Sequence, residues 1–244
     1  MRTQSNVAPI LAAAALVALA SLCPTSLEAQ VNDSGRWYIR GDAGLNILQD
    51  VGGLVGNGVA LGGPGQFISF TGNPATSQPV PAHPTMEFDA GPRMDLSLGY
   101  NLRNNLAIEV ETGFSYNTLN RFAGLPVSSG SARIALWQVP LLLNGIYKYS
   151  FNDHWQAYGG LGIGGVDSTF EVSSKGASLG ISDYQLAYQA MLGVKYLINP
   201  NWECGLGYKF LGTSSHDWKF SSSSRLQTSP TYSHGLLLSA SYKF

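Results

Sequence analysis

Residues 233–244 read SHGLLLSASYKF, with Phe244 at the last position. Leu236, Leu238, Ala240, Tyr242 and Phe244 alternate with Gly235, Leu237, Ser239, Ser241 and Lys243. A period of two puts each set on one face of a strand. Chain ends ordinarily fray, because nothing holds their last residues down. An apolar, aromatic strand that runs to the final residue calls for pairing on both sides, and closing a barrel supplies it.

The other end of the chain sets the compartment. MRTQSNVAPILAAAALVALASLCPTSLEAQ carries Arg2, an apolar run from Ile10 to Leu22, a helix-breaking Pro24 and small residues up to Ala29. This is the layout of a secretory signal peptide, read here as residues 1–29, with the mature domain spanning 30–244. The apolar run is too short to cross a bilayer as a helix, which needs about 20 residues. Leu22 before Cys23 is too large for a lipoprotein site.

Removing the signal leaves Cys204 as the one cysteine, so no intrachain disulfide can hold the exported chain. Charged residues make up 12% of the sequence and the formal net charge is −1, which argues against a general nucleic-acid binder. C-x-x-C, H-E-x-x-H, P-loop and dinucleotide patterns are missing, and nothing points to a cofactor or a metal.

Period-two alternation recurs along the mature chain. Trp37, Ile39, Gly41, Ala43 and Leu45 oppose Tyr38, Arg40, Asp42, Gly44 and Asn46. Residues 87–100 and 106–117 repeat the pattern and are joined by a five-residue turn, a hairpin. Further runs at 134–149, 155–165, 183–196, 202–212 and from about Tyr232 bring the count to eight. Each is near or above the nine to eleven residues, roughly, that a tilted membrane strand requires. Connections alternate between short turns, around Arg103, Asn152 and Asn199, and long segments at 48–86, 118–133, 166–182 and 213–231. About half of the mature chain thus reads as loop and turn. The expected fold is all-β, an eight-stranded antiparallel up-and-down transmembrane barrel with short turns in the periplasm and long extracellular loops.

Alternation alone does not say which face points inward, since a soluble carrier barrel alternates too. Two features decide. Trp37, Tyr100, Tyr149, Trp155, Tyr196, Trp202 and Tyr242 gather beside the short turns on the apolar face, as an interfacial girdle would. The polar face is rich in glycine (Gly91, Gly113, Gly160, Gly162, Gly205, Gly207), which a crowded eight-stranded interior needs. The apolar face therefore meets lipid.

Several stretches also carry a family likeness: WYIRGDAGLN, QVPLLLNGIYKY, YGGLGIGG, AYQAMLGVKY, GYKFLGT and the final SYKF. Together they resemble the opacity-type or porin-family barrels, relatives of the membrane domain of outer-membrane protein A. The resemblance implies the outer membrane of a Gram-negative-type bacterium, with both termini in the periplasm. It also implies that Tyr242 and Phe244 form a C-terminal signal read by the barrel-assembly machinery.

On the inner face the pattern places Arg40, Asp42, Asp89, Arg93, Asp95, Glu109 and Glu111 on three consecutive strands. Lys148, Lys195, Lys209 and Lys243, with Glu203, come mostly from the others. Opposing walls can then pair across the lumen, and Arg40, Asp42, Arg93, Asp95, Glu109, Glu111 and Lys209 are expected to form a charge network that plugs it. The same residues could instead line a narrow ion-selective pore.

A lipid-modifying outer-membrane enzyme is the third reading. His83, His154, His216 and His234 all fall in loops or turns, and each is expected to be an ordinary solvated residue. His216-Asp217 and Ser233-His234 flank the Ser-rich fourth loop, but such a loop puts a serine near any histidine. Glu109 and Glu111 resemble a glycosidase pair, yet a closed lumen admits no sugar. The loops could bind a surface ligand of unknown identity, and GQFISFTG in the first loop offers Phe67, Ile68 and Phe70 as an apolar patch. The expectation is a monomeric outer-membrane barrel, surrounded by lipid, with a structural or surface-interaction role and no catalytic site.

Overall fold

Alternating faces build the wall of a closed barrel. The computed structural model describes residues 34–55, 67–68, 78–79, 83–127, 133–174, 177–219 and 225–244. The signal segment 1–29 and most of GQFISFTG lie outside the described residues. Among the described residues fifteen strands occur in the order β1 (Trp37–Leu48), β2 (Val51–Val55), β3 (Phe67–Ile68), β4 (Gln78–Pro79), β5 (Thr85–Phe88), β6 (Gly91–Arg103), β7 (Leu106–Phe122), β8 (Leu125–Pro126), β9 (Arg133–Ser150), β10 (Trp155–Ser174), β11 (Ala177–Leu197), β12 (Trp202–Thr213), β13 (His216–Lys219), β14 (Arg225–Thr228) and β15 (Tyr232–Lys243).

Eight of them, β1, β6, β7, β9, β10, β11, β12 and β15, pair antiparallel with their neighbours, and β15 returns to β1. That last ladder runs from Tyr38 opposite Lys243 to Leu48 opposite Ser233, and the Phe244 N–H donates to the Trp37 carbonyl at 2.9 Å. The aromatic end is thus held on both sides, by β1 and by β12. Two of the short turns use one device. Asn152 Oδ1 accepts the backbone N–H groups of His154 and Trp155 at 2.9 and 2.8 Å. Asn199 does the same for Asn201 and Trp202. An asparagine side chain in this role mimics a backbone turn. Pro140, inside β9, has no N–H to give. The β7–β9 ladder skips from Leu141 to Gln138 around it.

The faces fall as the aromatic and glycine criteria require. Leu45, Leu161, Ile163 and Leu238 are exposed on the outside, Leu238 by 68%, while Arg40 inside is 0% exposed. Glycine lets two tyrosines lie flat in the lumen. A Cβ at Gly99 would run into the Tyr38 ring, and one at Gly193 would stand 2.6 Å from Tyr158 Cε1.

The extracellular half departs from expectation. Much of 118–133, 166–182 and 213–231 is strand rather than loop: β10 runs on to Ser174 and β11 starts at Ala177. On the other side four short strands resume the barrel strands after brief breaks. β2 continues β1, β5 leads into β6, β13 continues β12, and β14 leads into β15. They keep the same neighbour order, β13-β14-β2-β5-β7, so the wall continues upward.

Each break flips the alternation. Leu48 and Val51 both face in, as do Met86 and Gly91, Thr213 and His216, and Thr228 and Thr231. A bulge between Glu87 and Phe88 belongs to this set. It also corrects the placement of Asp89, which lies exposed in the break before β6 rather than in the lumen. There Asn120 donates to its carboxylate at 2.8 Å. The upper wall encloses an apolar core of Leu48, Val51, Met86, Leu119, Phe122, Ile134, Leu136 and Phe170.

Candidate functional site: the filled lumen

Inward residues at alternate positions stack in layers up the lumen. Lowest, beside the short turns, lie Lys148, Lys195, Lys243 and Glu203, all buried. Lys195 Nζ is 3.3 Å from Glu203, Lys243 pairs with the same carboxylate, and Lys148 donates to Asn101. Above them sits a layer of Tyr38, Ala107, Ile146, Tyr158 and Met191. Lys148 and Lys195 lie over the Tyr38 ring, at 4.9 and 5.6 Å from its centroid, so the aromatic faces receive charge that Glu203 alone does not balance.

The next layer gathers all seven residues of the expected network. Arg40 is its centre. Its Nε donates to Asp42 at 3.1 Å and its Nη1 to Glu109 at 2.9 Å, while Nη2 stands 3.4 Å from Glu111. Tyr38 donates its hydroxyl to the same Glu109 at 2.6 Å, tying the aromatic layer to the charged one. Lys209 reaches across from β12, with Nζ 2.7 Å from Asp42, 2.8 Å from Asp95 and 3.0 Å from Glu111. Arg93 pairs with Asp95 at 3.0 Å and donates to Gln189 on the far wall at 3.0 Å. Gln189 and Asn144 each donate to Glu111 at 3.1 Å.

Three cations thus meet four buried carboxylates, and Tyr38, Asn144 and Gln189 add hydrogen bonds to Glu109 and Glu111, while Arg93 Nη1 makes no hydrogen bond among the described residues. Asn46 and Asn117, bonded at 3.0 Å, and an apolar group of Leu142, Val166, Ala187 and Leu211 lie around and above this layer. The apolar core of the upper wall closes the stack. Tyr38, Tyr158, Asn144 and Gln189 escaped the sequence argument, which ranked lumen residues by charge. Tyr38, Asn144 and Gln189 alternate in step with Arg40, Lys148 and Lys195 on their own strands, and Tyr158 with Gln156.

Outside, the lower aromatics pair across strands. Trp37 meets Tyr100 at 4.9 Å, Trp155 meets Tyr196 at 5.1 Å and Trp202 meets Tyr242 at 4.9 Å between ring centroids. Tyr149 packs instead on Phe151. A second belt circles the other end: Tyr116 against Trp137 at 4.5 Å, and Phe210 stacked on Tyr232 at 6.0 Å, with Tyr188 beside it. From Tyr242 to Tyr232 the chain climbs about 26 Å, at about 3.4 Å per residue and a tilt of about 40°. That matches the apolar band of outer-membrane barrels, about 25 Å tall.

The family of the outer membrane protein beta-barrel domain matches residues 12–244, nearly the whole sequence. The chain belongs to the outer-membrane β-barrel proteins. Membership places this barrel in the outer membrane of a Gram-negative-type cell, with the outward apolar band in lipid. Among solved structures it is similar to the outer membrane protein OprG from Pseudomonas aeruginosa, at 16% identity and a TM-score of 0.52, covering 89% of this chain and 99% of that one. It is also similar to Neisserial surface protein A, at 15% identity and a TM-score of 0.48, covering 85% and 97%. The attachment invasion locus protein Ail of Yersinia pestis is 15% identical with a TM-score of 0.42, covering 86% and 99%. At these identities the likeness is one of fold. No curated relative matches the sequence.

Two histidines differ from expectation. His216 is buried in the extracellular wall with Nε2 3.3 Å from Ser168 Oγ, rather than solvated in a loop. His234 sits on the outer face of β15 between Tyr208 at 2.6 Å and Gln49 at 2.7 Å. His83 and His154 are exposed. Among the described residues no group of His, Cys, Asp and Glu is arranged to hold a metal.

Proposed function

We propose that this outer-membrane barrel works closed, as a membrane-anchored scaffold that presents its extracellular wall for surface contacts, and does not act as a channel. One observation carries the reading: the lumen is filled from the lysine layer to the upper apolar core by side chains that engage one another. Opening a path through it would strip partners from Arg40, Lys209 and Glu111 together, and an unpaired buried charge is strongly unfavourable. The β10–β11 hairpin rises some 25–30 Å past the upper aromatic belt at Tyr188, at about 3.4 Å per tilted residue. It forms part of a firm surface suited to a protein or glycan partner. Glu109 and Glu111 are buried within the network, so a sugar-cleaving role has no route for its substrate. Liposome swelling tests the reading. Refolded protein in liposomes should give no faster entry of small sugars or amino acids than empty liposomes, and rapid swelling would favour a diffusion pore.

A further inference from the structure

The continued wall has one joint of a different kind. β13 pairs with β14, β14 with β2, β2 with β5 and β5 with β7, each by a backbone ladder. β7, β9, β10 and β11 complete the circuit. Only between β13 and β11 do the described residues show no ladder. β11 and β12 are laddered as far as Ala187 opposite Thr213, and the Ser214 N–H then reaches the Leu186 carbonyl at 2.9 Å. Above that point the joint is made by side chains. Asp183 on β11 accepts the backbone N–H of Asp217 at 2.8 Å, and His216 turns inward to Ser168 on β10.

We propose that this β11–β13 seam is an acid-released latch, in which protonation of His216 parts β13 from β11 and opens the extracellular wall beside the upper apolar core. His216 is 1% exposed and lies above the outer aromatic belt, outside the membrane-spanning part of β12. Among the described residues the titratable group acting on it is Asp183 on β11, while Asp217, next to it on β13, points to the opposite face. β10 and β14 face it with hydroxyls, those of Ser168 and of Thr228, its register partner. Thr228 Oγ1 and both amide groups of Gln185, two residues from Asp183, are buried without a hydrogen-bond partner. Among the described residues, these buried polar atoms give up no hydrogen bond when the seam parts, which lowers the cost of parting it.

Burial pushes the His216 imidazole down to about 4, from the ordinary 6.5, and the attraction of Asp183 offsets this only in part. In the parted state the ring is solvated and titrates near its ordinary value of about 6.5. Between these values the open form binds more protons than the closed one, so the closed seam loses stability as pH falls from about 6.5 toward 4. From pH 7.5 to 5.0 the open-to-closed ratio rises about 30-fold. Histidine is the side chain suited to such a switch near neutral pH.

Hydrogen exchange of the full-length protein, refolded in lipid nanodiscs, reads the latch directly. After correction for intrinsic rates, protection of the Ser214 and Asp217 amides, whose hydrogen bonds cross to β11, should fall about 30-fold from pH 7.5 to 5.0. The membrane-embedded part of β12 should not change. His216→Asn, which keeps a polar side chain but does not titrate, should abolish the fall. His216→Gln serves if the asparagine variant does not fold. Equal protection of the parent at both pH values would overturn the proposal. So would an undiminished fall in the variant, which would assign the effect to Asp183.

Discussion

Replacing Arg40 by methionine keeps most of its volume and removes its charge. In the folded protein Arg40 is fully buried and its guanidinium engages Asp42, Glu109 and Glu111 within 3.4 Å. Without it the layer holds Arg93 and Lys209 against four carboxylates, and Glu109 keeps only the Tyr38 hydroxyl among the donors now around it. Removing one partner of a buried ion pair costs about 3–5 kcal/mol. At about 1.36 kcal/mol per tenfold, that raises the unfolding constant by roughly 160- to 5,000-fold. Arg93→Met should cost less, near 3 kcal/mol by the same rule. Arg93 has one close carboxylate, Asp95, and stands 3.6 Å from Glu111. Arg40→Met combined with Glu109→Gln should recover part of the loss, because the charge count returns to an excess of one carboxylate. Urea titration of the refolded proteins in detergent micelles measures these differences. If Arg40→Met unfolds at the same midpoint as the parent, or loses no more than Arg121→Met at an exposed site of the upper wall, the network does not hold the lumen.

Two further outcomes follow from the wall. Leu206 is 46% exposed on the outer face of β12, midway between the aromatic belts, and Leu206→Arg should destabilise the barrel in lipid by about 2–4 kcal/mol. Equal urea midpoints would place that face away from lipid. Phe244 is proposed, with Tyr242, as the assembly signal, and its backbone also closes β15 on β1. Deleting it should lower outer-membrane yield, measured by quantitative blotting of membrane fractions, far more than deleting residues 60–75. Equal yields would count against both roles.

The lower barrel could be read because period two persists wherever one face meets lipid and the other a crowded interior. From Trp37 to Leu48 every residue announces its side, and the same parity that puts Arg40 inside puts Tyr38 there. The upper wall could not be read that way. Four strands break within a few residues of one level, and each break shifts the parity by one. Val51, Met86 and His216 therefore look out of step with the strands they continue. Short pieces such as β2 (VGGLV) have too few alternations and too much glycine to stand out from a loop. Asp89 was misplaced for the same reason, since parity carried across a bulge assigns the wrong face. The network was visible as charges on one face. The hydrogen bonds that Tyr38, Asn144 and Gln189 give it were not, because parity tells which side a residue takes and not what it touches.

Whether the lumen is shut by its own side chains is decided by single-channel recording in a planar bilayer. The parent should insert without steady conductance, while Arg40→Ala with Arg93→Ala, which removes both guanidinium groups and the volume they fill, should admit water and show discrete openings. A parent that conducts steadily, with the double variant changing only ion selectivity, would make the same residues the lining of a pore and not a plug.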